Sequence, residues 1–399
     1  MRILMSSYSF GAGRGSEAGV GWNVATGMAA RGHEVTVVTT SEFRNLNKPA
    51  LDRLNLPLQL IEIDAGLSQF NSSQSYRHWQ KAIGSELRRL AGKHSYDVVH
   101  HITFNQYRSL RDVFEVNLPY VIGPIGGAET VNACFWKELP LKMALKEMVR
   151  YVPWDVLPLK KRMRASSEKG RVIASTPQTA ERLTRHAGIR DVRLSPIIAV
   201  HEHEIVRYPA HLPGDKYFVF DGGTRPEKGM KLMLRALSSL WAEGVRCPVK
   251  VAAVAEESKS DVIRYAGSVG LPGEAVELLP FMPRATMLNI VSRSCGFISV
   301  GFRDAGCMAL LEAVAQGVPA LCLDLSGQHW LPAEYAIKVP VGGRNLVHRV
   351  AEAMRILACQ PSKSLEWHAC RADWVRKNMS WEARLDYIEN IYQEINNSR

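Results

Sequence analysis

Apolar positions along this chain fall into short runs that alternate with stretches of helical spacing. His33–Thr40 (HEVTVVTT), Asp97–His101 (DVVHH) and Gly170–Ser175 (GRVIAS) are rich in β-branched and apolar residues and are bounded by polar or turn-forming ones. Such runs predict strands buried on both faces. Arg2–Met5, Leu58–Ile63 and Pro119–Ile122 read the same way, and Glu17–Arg31, Tyr76–Lys93 and a segment starting near Pro177 have helical spacing. The pattern restarts near residue 200. Strands are expected at Lys216–Asp221, Val249–Val254, Ala275–Leu279, Gly296–Val300 and Ala320–Leu323, and helices at Met230–Glu243, Cys307–Gln316 and Trp381–Asn396. Alternating strand and helix predicts an α/β fold with parallel sheets wrapped by helices. Here it predicts two doubly wound, Rossmann-like units, with no sequence repeat between them. Ser195–Gly214, with three prolines and little periodicity, reads as the linker. Ligands of such folds bind beyond the carboxyl ends of the strands, so the two units are expected to face across a cleft.

Composition narrows the classes. At 399 residues the chain is too long for one ordinary core. The net charge of +11 suggests a partner bearing phosphates, or simply a basic surface. There is no basic helix with base-reading spacing, zinc spacing or aromatic RNA-binding stretch, so nucleic acid is not the expected partner. The seven cysteines include no C-x-x-C pair and read as buried thiols in a reducing compartment. MRILMSSYSF has too short an apolar stretch for a signal peptide, and no segment approaches the roughly 18 apolar residues of a spanning helix. A cytoplasmic location is expected.

Two loops carry candidate chemistry. DGGTRPEKGMKLMLRAL (221–237) follows an expected strand with two glycines, which let backbone approach a ligand, and then Arg225 and Lys228. The pair is either a diphosphate cradle or two surface cations on a solvated turn. GFRDAGCMALLEAVAQGVPALCLDLSG (301–327) places Asp304 at a helix entry and Glu312 on its second turn. A carboxylate accepts hydrogen bonds from vicinal hydroxyls such as those of a ribose. Alternatively, Asp304 caps the helix and Glu312 faces water, although the apolar flanks of Glu312 argue against the second half of that reading. HEHE (201–204) lacks the spacing of a metal motif and reads as polar linker, so no metal site is expected.

Taken in order, these segments resemble the retaining glycosyltransferases of family 4, which have the GT-B fold. Asp304 and Glu312 match the family's acid-x7-acid signature, and Arg225 and Lys228 its basic pair. GSEAGVGWNVATGMAARGHEVTVVTT (15–40) resembles its glycine loop, first helix and Gly-His-x-Val strand. YDVVHHITF and VIGPIGG resemble a subgroup that makes bacterial surface polysaccharides, and SWEARLDYIENIYQEI the closing helix that crosses back onto the first domain. The resemblance implies an acceptor-side domain of residues 1–199 plus 380–399 and a donor-side domain of 200–379. It implies transfer from a nucleoside-diphosphate sugar with retention of configuration, without metal or cofactor. Arg225 and Lys228 would neutralise the diphosphate leaving group, and Glu312 would hold the ribose. Asp304 and the amides of Gly306, Cys307 and Met308 would hold the donor sugar. Gly223 lies in the diphosphate loop, and Phe281 and Met282 of the PFMP segment (280–283) would meet the base through main chain. Gly13, Gly15 and Ser16 would face the diphosphate or the acceptor. The chain departs from the family in two places. The first acid is Asp304 where Glu is usual, and the family's His-x-His at the end of the fourth strand reads His100-His101-Ile102 here. That leaves His101 as the catalytic candidate, with His100 either structural or functional.

FWKELPLKMALKEMVRYVPWDVLPLKKRMRASSEKGR, within 131–171, is basic, with Trp136, Leu141, Met143, Met148, Val149 and Trp154 as its apolar component. It reads as a membrane-surface segment or as a helix packed on the first domain. The membrane reading implies a lipid-linked or oligosaccharide acceptor at the inner face of the cell membrane. Two other functions compete. GAGRGS (11–16) invites a nucleotide-cofactor oxidoreductase, although the third fingerprint glycine is Ser16. Ile102 invites a GT-B-like protein that binds sugar nucleotides without transfer.

Overall fold

The computed structural model describes residues 1–64, 73–108, 110–165, 170–208, 216–360 and 363–397. The chain divides into two units. The first holds Met1–Glu129, Val152–Ile198 and Trp381–Arg399, and the second holds Thr130–Tyr151 and Ala199–Ser380.

The first unit is built on β1 (Arg2–Ser7), β2 (Glu34–Thr39), β3 (Leu58–Glu62), β4 (Val98–Thr103), β5 (Tyr120–Ile125), β6 (Gly170–Ala174) and β7 (Val192–Leu194). They form a parallel sheet in the order β3-β2-β1-β4-β5-β6-β7. The central strands are buried almost throughout, which is why they read as continuous apolar runs. The order reverses between β1 and β4, so the loops after those two strands flank the switch point.

The helices up to the linker are α1 (Ser16–Ala30), α2 (Arg44–Leu54), α3 (Ser73–Lys93), α4 (Leu141–Tyr151), α5 (Leu157–Ala165) and α6 (Pro177–Arg182). All but α4 belong to the first unit. The second unit continues with β8 (Phe218–Asp221), α7 (Met230–Ala242), β9 (Val249–Ala252), α8 (Lys259–Ser268), β10 (Val276–Leu278), α9 (Arg284–Ser292) and β11 (Gly296–Ser299). After these come α10 (Met308–Ala315), β12 (Ala320–Leu323), β13 (Ala336–Val339), α11 (Leu346–Cys359) and α12 (Leu365–Met379). Its parallel sheet runs β10-β9-β8-β11-β12-β13, with the switch point between β8 and β11.

The last helix, α13 (Trp381–Asn397), returns to the first unit. It packs so closely on α1 that a Cβ at Gly27 would lie 2.4 Å from Leu385. Arg31, just past α1, pairs with Glu382, Asp386 and Glu389.

Two expectations change. Thr130–Tyr151, assigned from sequence to the first domain, belongs to the second unit. Val131, Phe135 and Leu139 join that unit's core, and the Phe135 ring stacks on Phe302 at 4.1 Å. The linker is also more ordered than its composition suggests. Val200 donates its amide to Met379, and Val206 donates to Ala315. Residues 209–214 of the expected linker and 166–169 of the basic segment lie outside the described residues. Among the described residues, no helix is long and apolar enough to cross a membrane.

Candidate active site

In the second unit, the loop after β8 and the loop after β11 meet at the switch point. Gly229 has φ +80°, and a Cβ there would lie 2.2 Å from the carbonyl of Val300. Only glycine allows that approach. Phe302 donates its amide to Glu227, and Gly327, from the turn after β12, donates to Asp304 O. With the backbones stitched together, Lys228 Nζ reaches Asp304 Oδ2 at 2.5 Å. Gly223 lies in the same loop at φ +52°, and Arg225 is exposed at the head of the turn.

The Asp304 carboxylate also turns back on its own loop, where Oδ1 accepts the Gly306 amide at 3.1 Å. Met308 N donates to Gly306 O. Two of the three amides expected to hold a donor sugar are therefore engaged within the loop, one by the Asp304 side chain and one by a backbone carbonyl. The Cys307 thiol is buried at the start of α10, and burial pushes its pKa well up, so it is an inert packing group.

Glu312 does not face water. On the second turn of α10 its Oε1 accepts from Arg284 Nε at 2.8 Å, and Arg284 Nη2 lies 2.7 Å away. Among the described residues no donor reaches its Oε2. Arg284 also pairs with Glu204, which is buried and accepts the His201 amide at 2.9 Å. One guanidinium thus serves two acids. Burial raises Glu312 above the usual carboxyl range despite Arg284, whereas Arg284 and the His201 amide overcome burial and hold Glu204 low. Asp221, at the end of β8, is likewise raised by burial, with Lys228 and Arg225 opposing and Asp304 adding to the rise. Asp221 in turn raises Glu312. Arg225, Lys228, Asp304 and Glu312 therefore act on one electrostatic neighbourhood. The far end of α10 is held by the buried Arg371, which donates to Val314 O and Ala315 O at 2.7 and 2.9 Å, where a cation suits the helix dipole. The PFMP segment leaves Phe281 78% exposed, with Met282 half-buried beside it and Pro283 opening α9.

Sequence reasoning missed Arg284, Glu204 and Asp221. Glu204 lies in HEHE, which reads as polar linker, and Arg284 carries no signal except its place directly after PFMP.

The remaining candidates lie in the first unit. Gly13, at φ +65°, and Gly15 have open space where a Cβ would stand, and Ser16 takes φ +55° as α1 begins. These three residues are exposed. His101 is not. It is fully buried, with Nδ1 2.7 Å from Asp112 Oδ2 and Nε2 3.3 Å from both Tyr76 Oη and Phe104 O. Asp112 is itself fully buried and accepts from Ser6. Burial would raise Asp112, but His101 and the hydrogen bond from Ser6, with the nearby Gln80 side chain adding to them, outweigh it and hold the carboxyl low. The expectation that His101 touches a donor sugar is corrected to a sealed pair. Pairing with β1 skips Ile102, a bulge that sets His101 opposite Ser6 and Thr103 opposite Ser7. His100 is also structural. Its Nε2 donates to Gly123 O at 2.6 Å and its Nδ1 accepts from Tyr392 Oη at 2.5 Å, while burial lowers its pKa to about 3. A further acid emerges at Glu17, on the first turn of α1, whose Oε1 accepts the Asn105 amide at 2.8 Å. Burial raises its carboxyl to about 7, with the Asn105 bond and His101 opposing.

The site and fold can be compared with known proteins. Residues 20–197 match the family model described as Glycosyltransferase Family 4, and residues 203–339 match Glycosyl transferases group 1. The protein is a glycosyltransferase of GT-B architecture. No curated protein matches the sequence. Among solved structures, sucrose-phosphate synthase from Thermosynechococcus elongatus superposes with a TM-score of 0.68 at 15% identity, covering 100% of both chains. WaaG, a glycosyltransferase involved in lipopolysaccharide biosynthesis, gives 0.62 at 15% identity, covering 97% of this chain and 99% of its own. An Anabaena protein solved with UDP and glucose gives 0.64 at 10% identity, covering 99% of this chain and 100% of its own.

Proposed function

We propose that this protein transfers a sugar, with retention of configuration, from a nucleoside-diphosphate sugar to a lipid-linked saccharide during surface-polysaccharide assembly. In this reading it works at the inner face of the cell membrane. One observation carries the proposal: at the second switch point the acids are held by cations that a diphosphate could draw away. Lys228 holds Asp304, and Arg284 holds Glu312 while leaving Oε2 open. A diphosphate would draw Lys228 and Arg225 towards itself and free Asp304 for sugar hydroxyls. Glu312, raised by burial and short of donors, would gain from the two hydroxyls of a ribose. The Anabaena structure with UDP and glucose and the lipopolysaccharide role of WaaG support the choice of donor and acceptor class.

The chemistry in this reading is the one that the resemblance to retaining glycosyltransferases implies. As the bond from sugar carbon to phosphate breaks, negative charge grows on the leaving diphosphate, where Arg225 and Lys228 stabilise it. The acceptor hydroxyl adds to the same face of the sugar, and its proton passes to the departing phosphate oxygen. This needs no protein nucleophile, and the two cations carry the neutralisation that a metal supplies elsewhere. His101, sealed against Asp112, shapes the loop after β4 through Phe104 O.

The test is a thermal-shift screen of UDP-, GDP- and ADP-sugars, followed by turnover of the stabilising donor with a lipid-linked saccharide. The anomeric configuration of the product is then read by NMR. A stabilising donor and a product of retained configuration are expected. An inverted product removes the retaining assignment, and failure of every nucleotide sugar to bind removes the donor assignment.

A further inference from the structure

Helix α4 is built inside out. Leu141, Leu145, Met148 and Val149 form one apolar stripe at helical spacing, and all four are exposed, by 47% to 77%. The helix has a single acid, Glu147, which faces inward and is 4% exposed. Lys142 and Lys146 are exposed along the stripe, and a shallow groove is lined by Lys142, Leu145, Lys146, Val149 and Arg150. Met143 and Ala144 pack on the core of the second unit. The outer face therefore offers aliphatic surface and cations, with its acid withdrawn. The only neutral hydrogen-bonding side chain of the helix, Tyr151, donates to Val131 O. A protein partner is usually met by a polar rim that hydrogen-bonds across the contact. An anionic bilayer needs only what this face has, apolar side chains to enter the headgroup boundary and lysines to meet lipid phosphates.

The inner face leads to the active site. The Glu147 carboxylate accepts the Val131 amide at 3.0 Å and pairs with Arg303, the residue before Asp304. Phe135, from the same segment, stacks on Phe302. The geometry points to α4 as a membrane-docking strut: its outer face seats on anionic lipid, and its inner face, through Glu147 and Arg303, orders the loop that presents Asp304. Glu147 is a positioning residue in this scheme. The inference rests on the membrane-side acceptor proposed above, and it makes lipid contact a control on the donor loop.

The experiment uses the full chain and vesicles of phosphatidylglycerol in phosphatidylcholine, with pure phosphatidylcholine as control. The chain cosediments with the anionic vesicles and not with the neutral ones. Each lysine near an anionic surface contributes about fivefold, so Lys142→Gln with Lys146→Gln weakens binding about 25-fold, and Leu145→Asp also releases the protein. Hydrogen exchange of backbone 300–308 slows on vesicles in the unaltered chain. It does not slow in Glu147→Gln or in Arg303→Gln, both of which still bind vesicles. The two variants break the same pair from opposite sides, so misfolding of one leaves the other to report. Absence of vesicle binding, binding indifferent to the α4 substitutions, or loop protection that persists in both pair variants overturns the proposal. So does self-association without lipid that Leu145→Asp abolishes, because that would give the face to a second copy of the chain. None of these readouts uses a nucleotide sugar, so they can fail while the transfer reading stands, and the reverse.

Discussion

At the switch point of the second sheet, Lys228 and Asp304 each leave 21% of the side chain exposed, whereas at that of the first sheet His101 and Asp112 leave none. Both pairs sit at the address where doubly wound folds bind ligands. The partly exposed pair stays in contact with solvent, so it can exchange partners for a ligand at a smaller cost than a sealed one. The sealed pair cannot, because removing either member leaves buried polar atoms of the other without a partner. Position in the fold nominates both pairs, and exposure separates the one that can meet a ligand from the one that holds the loops in place.

Breaking the sealed pair is expected to give the largest effect. Asp112→Ala lowers stability by about 3–5 kcal/mol, read by chemical denaturation, and unchanged stability would contradict a structural role. Lys228→Ala acts on the other side of the comparison. Turnover falls about 10²–10³-fold, the usual loss when one preorganised stabilising charge is removed, while the melting temperature stays close to that of the unaltered chain. Full turnover would take Lys228 out of the chemistry. Glu312→Ala weakens binding of the matching nucleoside diphosphate about 10- to 100-fold, as expected for lost hydrogen bonds to a charged group, and calorimetry measures it. The last effect is a pH dependence. Glu17 is raised in the folded state to about 7 from 4.5. A raised carboxyl favours the fold below its unfolded value, and that advantage disappears as pH climbs through about 7. Between pH 5 and 8 the melting temperature of the unaltered chain should therefore drop relative to Glu17→Gln, and parallel curves for the two proteins would show that Glu17 is not buried as described.

The two sheets were legible because parallel strands buried on both faces leave uninterrupted apolar runs, as at Glu34–Thr39 and Val98–Thr103. The strands β7 and β13 were missed; both are edge strands, only partly buried, and each has a cation inside its run, Arg193 and Lys338. Arg225, Lys228, Asp304 and Glu312 were readable because each sits at a fixed offset from a strand end or a helix start. Arg284 and Glu204 were not, since their role exists only through a partner 28 and 80 residues away from Arg284. His100 and His101, adjacent on β4, make separate sets of contacts, His100 with Gly123 and Tyr392 and His101 with Asp112 and Tyr76. The bulge at Ile102, which decides what His101 can reach, depends on pairing with β1 and leaves no local mark. Thr130–Tyr151 was misassigned because chain order places it between strands of the first sheet, whereas its aromatic partner, Phe302, comes far later in sequence.

The contact between Gly229 and the carbonyl of Val300 has an evolutionary consequence. Two loops seated this tightly form one rigid frame, and lengthening either by a residue would unseat the other. In the proposed donor reading, descendants of this sequence would change their choice of sugar or base by exchanging side chains near this frame, such as Phe281, Met282 and Arg284. Diversification of substrate should appear there as point substitutions and not as insertions.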